Sequence, residues 1–144
     1  MKELYELGIV VRGFVLVKHL FKEIPGSKGS TDPNKDLRGA FISAINMFAK
    51  NAFNNISLEY LESKNILFIF KPREIQASDC NCVEPIILYG LTDKRKKDQD
   101  KLVKKFLEKS ETVIESFISR YTNKDFTELD QFSEFQHKIP TFFV

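Results

Sequence analysis

At 144 residues, with 22 basic and 20 acidic side chains, the chain carries a formal net charge of +2, which excludes a dominant electrostatic footprint for nucleic acid or an anionic membrane. Its length suits one domain with a core that needs neither disulfides nor metals to hold it. Fourteen phenylalanines, four tyrosines and no tryptophan predict a Phe-rich core, and no apolar run approaches the roughly 18 to 20 residues that span a bilayer.

Glu3 to Lys22, ELYELGIVVRGFVLVKHLFK, is rich in Val, Ile, Leu and Phe and is interrupted at Arg12-Gly13. Two strands joined by a tight turn are expected. The opening MKELYELG lacks the apolar centre of a signal peptide, so a cytoplasmic location is expected. EIPGSKGSTDPNK follows and reads as a loop, because its Gly, Ser, Pro and Asp residues neither continue a strand nor build a helix.

A helix is predicted from about Asp36 to Phe53, with Asp36 as its cap and Asn54-Asn55 as its end. At roughly 100° per residue, Leu37, Ala40, Phe41, Ala44, Ile45, Met47, Phe48 and Ala52 make one broad apolar stripe, which Ile42, Ala49 and Phe53 widen to roughly 240°. A surface helix needs a stripe somewhat over 100° wide, so this one has apolar surface to spare.

Three further strands are expected in ISLEYLES, NILFIFKPR and EPIILYGLTD. The tight Ser63 to Asn65 turn makes the first two a hairpin, and the polar loop Glu74 to Val83 leaves room for a less local pairing of the last. A second long helix from about Lys94 to Tyr121 is amphipathic, with Leu102, Val103, Phe106, Leu107, Val113, Ile114, Phe117 and Ile118 on one face. Asp125 with Glu128 three residues on suggests a capping box for a short third helix carrying Phe126, Leu129, Phe132 and Phe135. The tail IPTFFV should dock on the fold.

The search for chemistry finds little. His19 and His137 have no local partner for acid–base or nucleophilic work. Cys80 and Cys82, in DCNCVEP, are too close for an ordinary disulfide and too few for zinc, and read as reduced loop thiols. PGSKGST, Pro25 to Thr31, lies between strand and helix as a phosphate loop does. Its order differs, because Lys28 precedes Gly29 and Asp32-Pro33 intervenes before the helix. The cations of DKRKKDQDK, Asp93 to Lys101, interleave with acids and contain no stacking aromatic, so they read as a solvated helix start. No catalytic residue, cofactor site or metal site is assigned, and the protein is expected not to be an enzyme.

In the order β-β-α-β-β-β-α-α, the chain resembles a longin domain of the roadblock/longin superfamily. The resemblance rests on LYELGIVVRGFVLVKHLF, DLRGAFISAINMFAKNAF, ISLEYLESKNILFIF and PIILYGLTD, which leads into KLVKKFLEKSETVIESFISRY. FISAINMFAK and ILYGLTDK are similar to small archaeal longin-like proteins related to eukaryotic trafficking components. The resemblance implies an α+β fold, a five-stranded antiparallel sheet with the first helix on one face and the C-terminal helices on the other. It implies an interaction module that forms a homo- or heterodimer with another longin or roadblock-type domain and engages a small GTPase or a trafficking-like complex, with no membrane span and any membrane association made through its partners.

On that reading Leu37, Phe41, Ile45 and Phe48 pack on the sheet. The candidate partner-binding residues are then Ile42, Asn46, Ala49 and Phe53 on the helix, Ser57 and Glu59 on an edge strand, and Arg12 and Arg38 as exposed cations. The competing explanation is that TFFV folds back over Phe53 and covers the surplus. A small-molecule sensor is the alternative function, with Tyr89 the main polar handle in an otherwise apolar core.

Overall fold

The structure, a computed structural model, describes residues 3–24, 35–52, 59–63, 65–94 and 97–143. The expected loop at 25–31 and the candidate residues Phe53 and Ser57 lie outside the described residues.

β1 (Leu4–Val11) and β2 (Phe14–Leu20) form the expected hairpin. Arg12 and Gly13 both have positive φ, 56° and 80°, the backbone that lets a two-residue turn follow the twist of its strands. α1 (Lys35–Ala52) follows, then β3 (Tyr60–Glu62), β4 (Ile66–Gln76) and β5 (Val83–Asp93). α2 (Gln99–Tyr121) leads to a 3₁₀ turn at Leu129–Phe132, α3 (Ser133–Lys138) and a final 3₁₀ turn at Ile139–Phe143. The five strands form one antiparallel sheet in the order β2-β1-β5-β4-β3, so the fold is α+β.

β1 lies inside the sheet and all eight of its residues are buried, as expected of a strand covered on both faces. On one face Val10, Val15, Phe70, Ile87, Tyr89 and Leu91 pack with Ile42 of α1. On the other, Leu7, Ile9, Leu67, Ile69, Ile86 and Leu88 pack with Phe106, Ile114 and Phe117 of α2, joined by Phe132, Phe135 and Ile139. Two glycines admit aromatic rings into these layers. A Cβ on Gly8 would stand 2.6 Å from the Tyr89 ring, and one on Gly90 would collide with Phe106.

Three expectations are corrected by this arrangement. β4 does not end near Arg73 but runs to Gln76 and pairs directly with β5, Gln76 opposite Val83. The fourth and fifth strands are therefore a local hairpin. The polar run after Phe70 misled because β3 pairs only with Leu67 to Ile69, leaving the rest of β4 at the sheet's edge, where Pro72 is tolerated. Asp125 does not open a capping box. Its carboxylate accepts from the Thr127 amide at 2.9 Å, an Asx-type turn, and the helix starts only at Ser133. Leu129 is exposed while Phe126, Phe132 and Phe135 are buried.

The tail docks, but not over α1. Phe142 and Phe143 pack against the α2-side core, with Phe143 edge-on to Phe21 at 5.3 Å between ring centroids. α3 sits beside β2, where the Gln136 side-chain oxygen accepts from the Lys18 amide at 3.1 Å. That contact satisfies one outward amide of an edge strand.

Candidate functional site

α1 is apolar on two sides, and the sheet takes one of them. Within about 100° of arc the inward side carries Arg38, Ile42, Ile45 and Ala49. Ile42 is 0% exposed and Ala49 is buried. Gly39 shares this side, and a Cβ there would stand 2.8 Å from the Gly13 carbonyl oxygen, so glycine lets the helix rest on the β1–β2 turn. Asn46 is half-buried and donates back to the Ile42 carbonyl at 2.8 Å.

A buried charge fixes this seat. Glu6 of β1 is 1% exposed. Its carboxylate accepts from Arg38 Nε and Nη2 at 3.1 and 3.0 Å and from the Tyr89 hydroxyl at 2.6 Å, with Lys18 Nζ 4.0 Å away. A buried carboxylate is tolerated only with such partners. Burial, then the neighbouring Glu6 charge, pushes the Tyr89 hydroxyl well above its ordinary pKa, so it remains a donor. Tyr89, the handle expected for a ligand, is engaged with Glu6 instead.

The two faces of α1 are therefore reversed relative to the sequence expectation. Ile42 and Ala49 face the sheet, whereas Leu37, Phe41, Met47 and Phe48 are 69%, 45%, 59% and 59% exposed. Ala40 and Ala44 are exposed between them. The surplus apolar surface exists, but on the opposite side of the helix. Phe41 lies 6.2 Å from Phe68 of β4, ring centroid to ring centroid, so the apolar strip continues from the helix toward β4. Half-buried Leu61 of β3 and Ile66 of β4 pack in the same layer as Phe68. Glu59 is exposed just before β3, and its carbonyl accepts from the Phe70 amide at 2.7 Å.

Neither arginine is a loose cation. Arg38 is bound to Glu6 as described. Arg12 is held by Glu84, Nε to Oε1 at 2.6 Å, and by Asp79, Nη1 to Oδ2 at 2.7 Å. Its guanidinium also lies 5.8 Å from the Phe126 ring centroid. The Arg12 hydrogen bonds hold the Asp79 carboxyl down at about 2, and the two carboxylates raise the arginine's own pKa.

The remaining chemistry-bearing residues are dispersed. His19 stands edge-on to Phe21 at 4.5 Å, and burial lowers its pKa. His137 Nδ1 contacts the Ser133 carbonyl at 2.8 Å. Among the described residues no three His, Cys, Asp or Glu side chains gather as a metal site, and no helix is long and apolar enough to cross a membrane. Cys80 and Cys82 are not free thiols but are bonded to each other. The chain matches no family model, and no curated protein is significantly similar to it in sequence.

Proposed function

We propose that the chain is a non-enzymatic protein-interaction module of longin-like layout that pairs with a second copy of itself through the outer face of α1 and serves as a platform for a small GTPase. The observation that carries this reading is the apolar outer face of α1, at Leu37, Phe41 and Met47. Large exposed apolar patches on otherwise well-packed domains mark interaction surfaces. The face also has the relief a second helix needs. Ala40 and Ala44 form a shallow track, and flanking Leu37, Phe41 and Met47 supply knobs that a neighbouring helix accommodates.

α1 has 18 residues and so spans about 27 Å. A single helix pair of that length falls short of the roughly 1,200 Å² typical of a stable interface, so the adjoining Phe41–Phe68 strip contributes as well. The pair is then one of modest affinity whose composition a partner can shift. Engagement of a GTPase is suggested by the resemblance of the sequence to longin domains, a fold-level analogy. Because Arg12 and Arg38 are both tied to carboxylates, the platform acts on a GTPase by positioning it, without lending either side chain to the nucleotide.

Light scattering over a concentration series tests the pairing. The wild type should approach twice its monomer mass, and Leu37→Asp/Met47→Asp should remain monomeric with unchanged circular dichroism. A wild type that stays monomeric throughout, or a variant that pairs equally well, would overturn the reading.

A further inference from the structure

The β4–β5 loop contains a disulfide that the fold does not need. Cys80 and Cys82 are bonded across one intervening residue, with Cα atoms 5.4 Å apart. Closing so short a loop restricts the unfolded chain far less than closing a long one. The hairpin beneath is already held by a continuous ladder from Ile66 opposite Asp93 to Gln76 opposite Val83. The bond also faces water, because Cys82 is exposed and Cys80 half-buried. Exposed disulfides are the ones that exchange readily with thiols.

What the bond does fix is the loop position of Asp79 relative to Glu84, which the ladder already holds opposite Ile75. Asp79, just before Cys80, and Glu84, two residues after Cys82, close on the same Arg12 guanidinium from opposite sides of the loop. Arg12 sits at φ 56° in the β1–β2 turn, a conformation that a non-glycine residue adopts only when its surroundings hold it. The loop also braces the chain after α2. The Ser78 amide donates to the Lys124 carbonyl at 2.9 Å, the Asn123 amide to the Gln76 carbonyl at 2.7 Å and the Phe126 amide to Asp79 at 3.2 Å. Gln76 Nε2 donates to the Cys80 carbonyl at 2.7 Å, anchoring one cysteine's backbone while the other meets solvent.

We propose that Cys80 and Cys82 form a thiol–disulfide exchange site for a low-molecular-weight thiol, and that the oxidised bond keeps Asp79 clamped on Arg12 beside the strand-held Glu84. The thiolate of the small thiol attacks Sγ of Cys82, the more exposed cysteine. The S–S bond breaks, and Cys80 leaves as a thiolate that takes a proton from water. A second small thiolate attacks its counterpart in the mixed disulfide, releasing Cys82 as a thiolate that is protonated in turn and leaving the small thiol's own disulfide. Two electrons and two protons thus pass to the chain. In the dithiol form residues 80–82 can extend to about 7 Å, and the three-way brace of loop, turn and post-α2 segment loosens. This inference is independent of the pairing proposed for α1.

The test equilibrates the full chain, under native conditions, in mixtures of reduced and oxidised glutathione, followed by alkylation, intact mass and amide hydrogen exchange. The oxidised protein should take up no alkylating agent. Millimolar reduced glutathione should open both cysteines to it, and oxidised glutathione should close them again. Reduction should speed exchange at Ser78, Asn123 and Phe126 by about three- to tenfold, with α1 unchanged. Cys80→Ser/Cys82→Ser should show the faster exchange at every glutathione ratio. Two alkylated cysteines without any reductant, a bond that resists glutathione until the protein unfolds, or equal exchange rates in both states would each overturn the proposal.

Discussion

Replacing Ile42 by alanine tests which side of α1 the sheet holds. Ile42 is fully buried among Val10, Val15, Phe70, Ile87 and Tyr89. Truncation removes about three methyl or methylene groups at roughly 0.8 kcal/mol each, and the void left beside the rigid Tyr89 ring adds to that. The sum is about 3 kcal/mol, inside the range for buried large-to-alanine changes. For a domain of this size it corresponds to a fall in Tm of about 10 °C. Met47, five residues along and 59% exposed, should lose less than about 0.5 kcal/mol on the same truncation when both variants are measured at a dilution where the chain is unpaired. Urea unfolding of Ile42→Ala and Met47→Ala, with the m-value checked for two-state behaviour, measures both. Equal losses, or a larger loss at Met47, would refute the reversed orientation of the helix and with it the identity of the outer face.

Arg38→Ala should cost about 2 to 3 kcal/mol, because Glu6 stays buried while its bidentate partner is gone. Adding Glu6→Gln to that background should cost less than the sum of the single changes, and an additive urea-unfolding cycle would contradict the coupling. Gly8→Ala should destabilise by about 1 to 3 kcal/mol through collision with Tyr89, and a neutral result would show that the ring is not pressed against β1. Acid should weaken the fold through two carboxyls held at about 2 when folded, Asp79 by Arg12 and Glu111 by Lys71 and then Arg73. In the unfolded chain they take up protons near the ordinary values of 3.8 and 4.5. Their contribution is therefore complete above about pH 5 and is lost as pH falls toward 2. Arg12→Ala should flatten the stability profile across that window, and an unchanged slope would show that the Asp79 pair contributes nothing.

The strand order along the chain, the Arg12-Gly13 turn and the excess apolar surface of α1 were legible because each rests on local chemistry. A two-residue interruption in an apolar run marks a hairpin, and a helix with apolar residues over roughly 240° cannot bury them all on one flat sheet. The same breadth hid which side faces in. With apolar residues nearly all round, periodicity no longer sets the phase. Arg38 and Gly39 set it instead, through a buried carboxylate and a close backbone approach supplied by β1 and the β1–β2 turn. An arginine beside a glycine in a first helical turn looks like a wet surface until Glu6 is known to lie beneath it. The end of β4 was hidden for a related reason. Arg73 and Glu74 are exposed beyond the stretch that β3 covers, so a paired strand has the composition of a loop.

Oxidative footprinting of side chains across a protein concentration series tests the outer face of α1 most directly. Met47 and Phe41 report that face, while exposed Phe14 and Leu129 serve as internal controls. If α1 is the pairing surface, oxidation of Met47 and Phe41 should fall severalfold as concentration rises and the controls should not change. Oxidation that is independent of concentration at Met47 and Phe41, or protection that appears at Phe14 or Leu129 instead, would contradict the account.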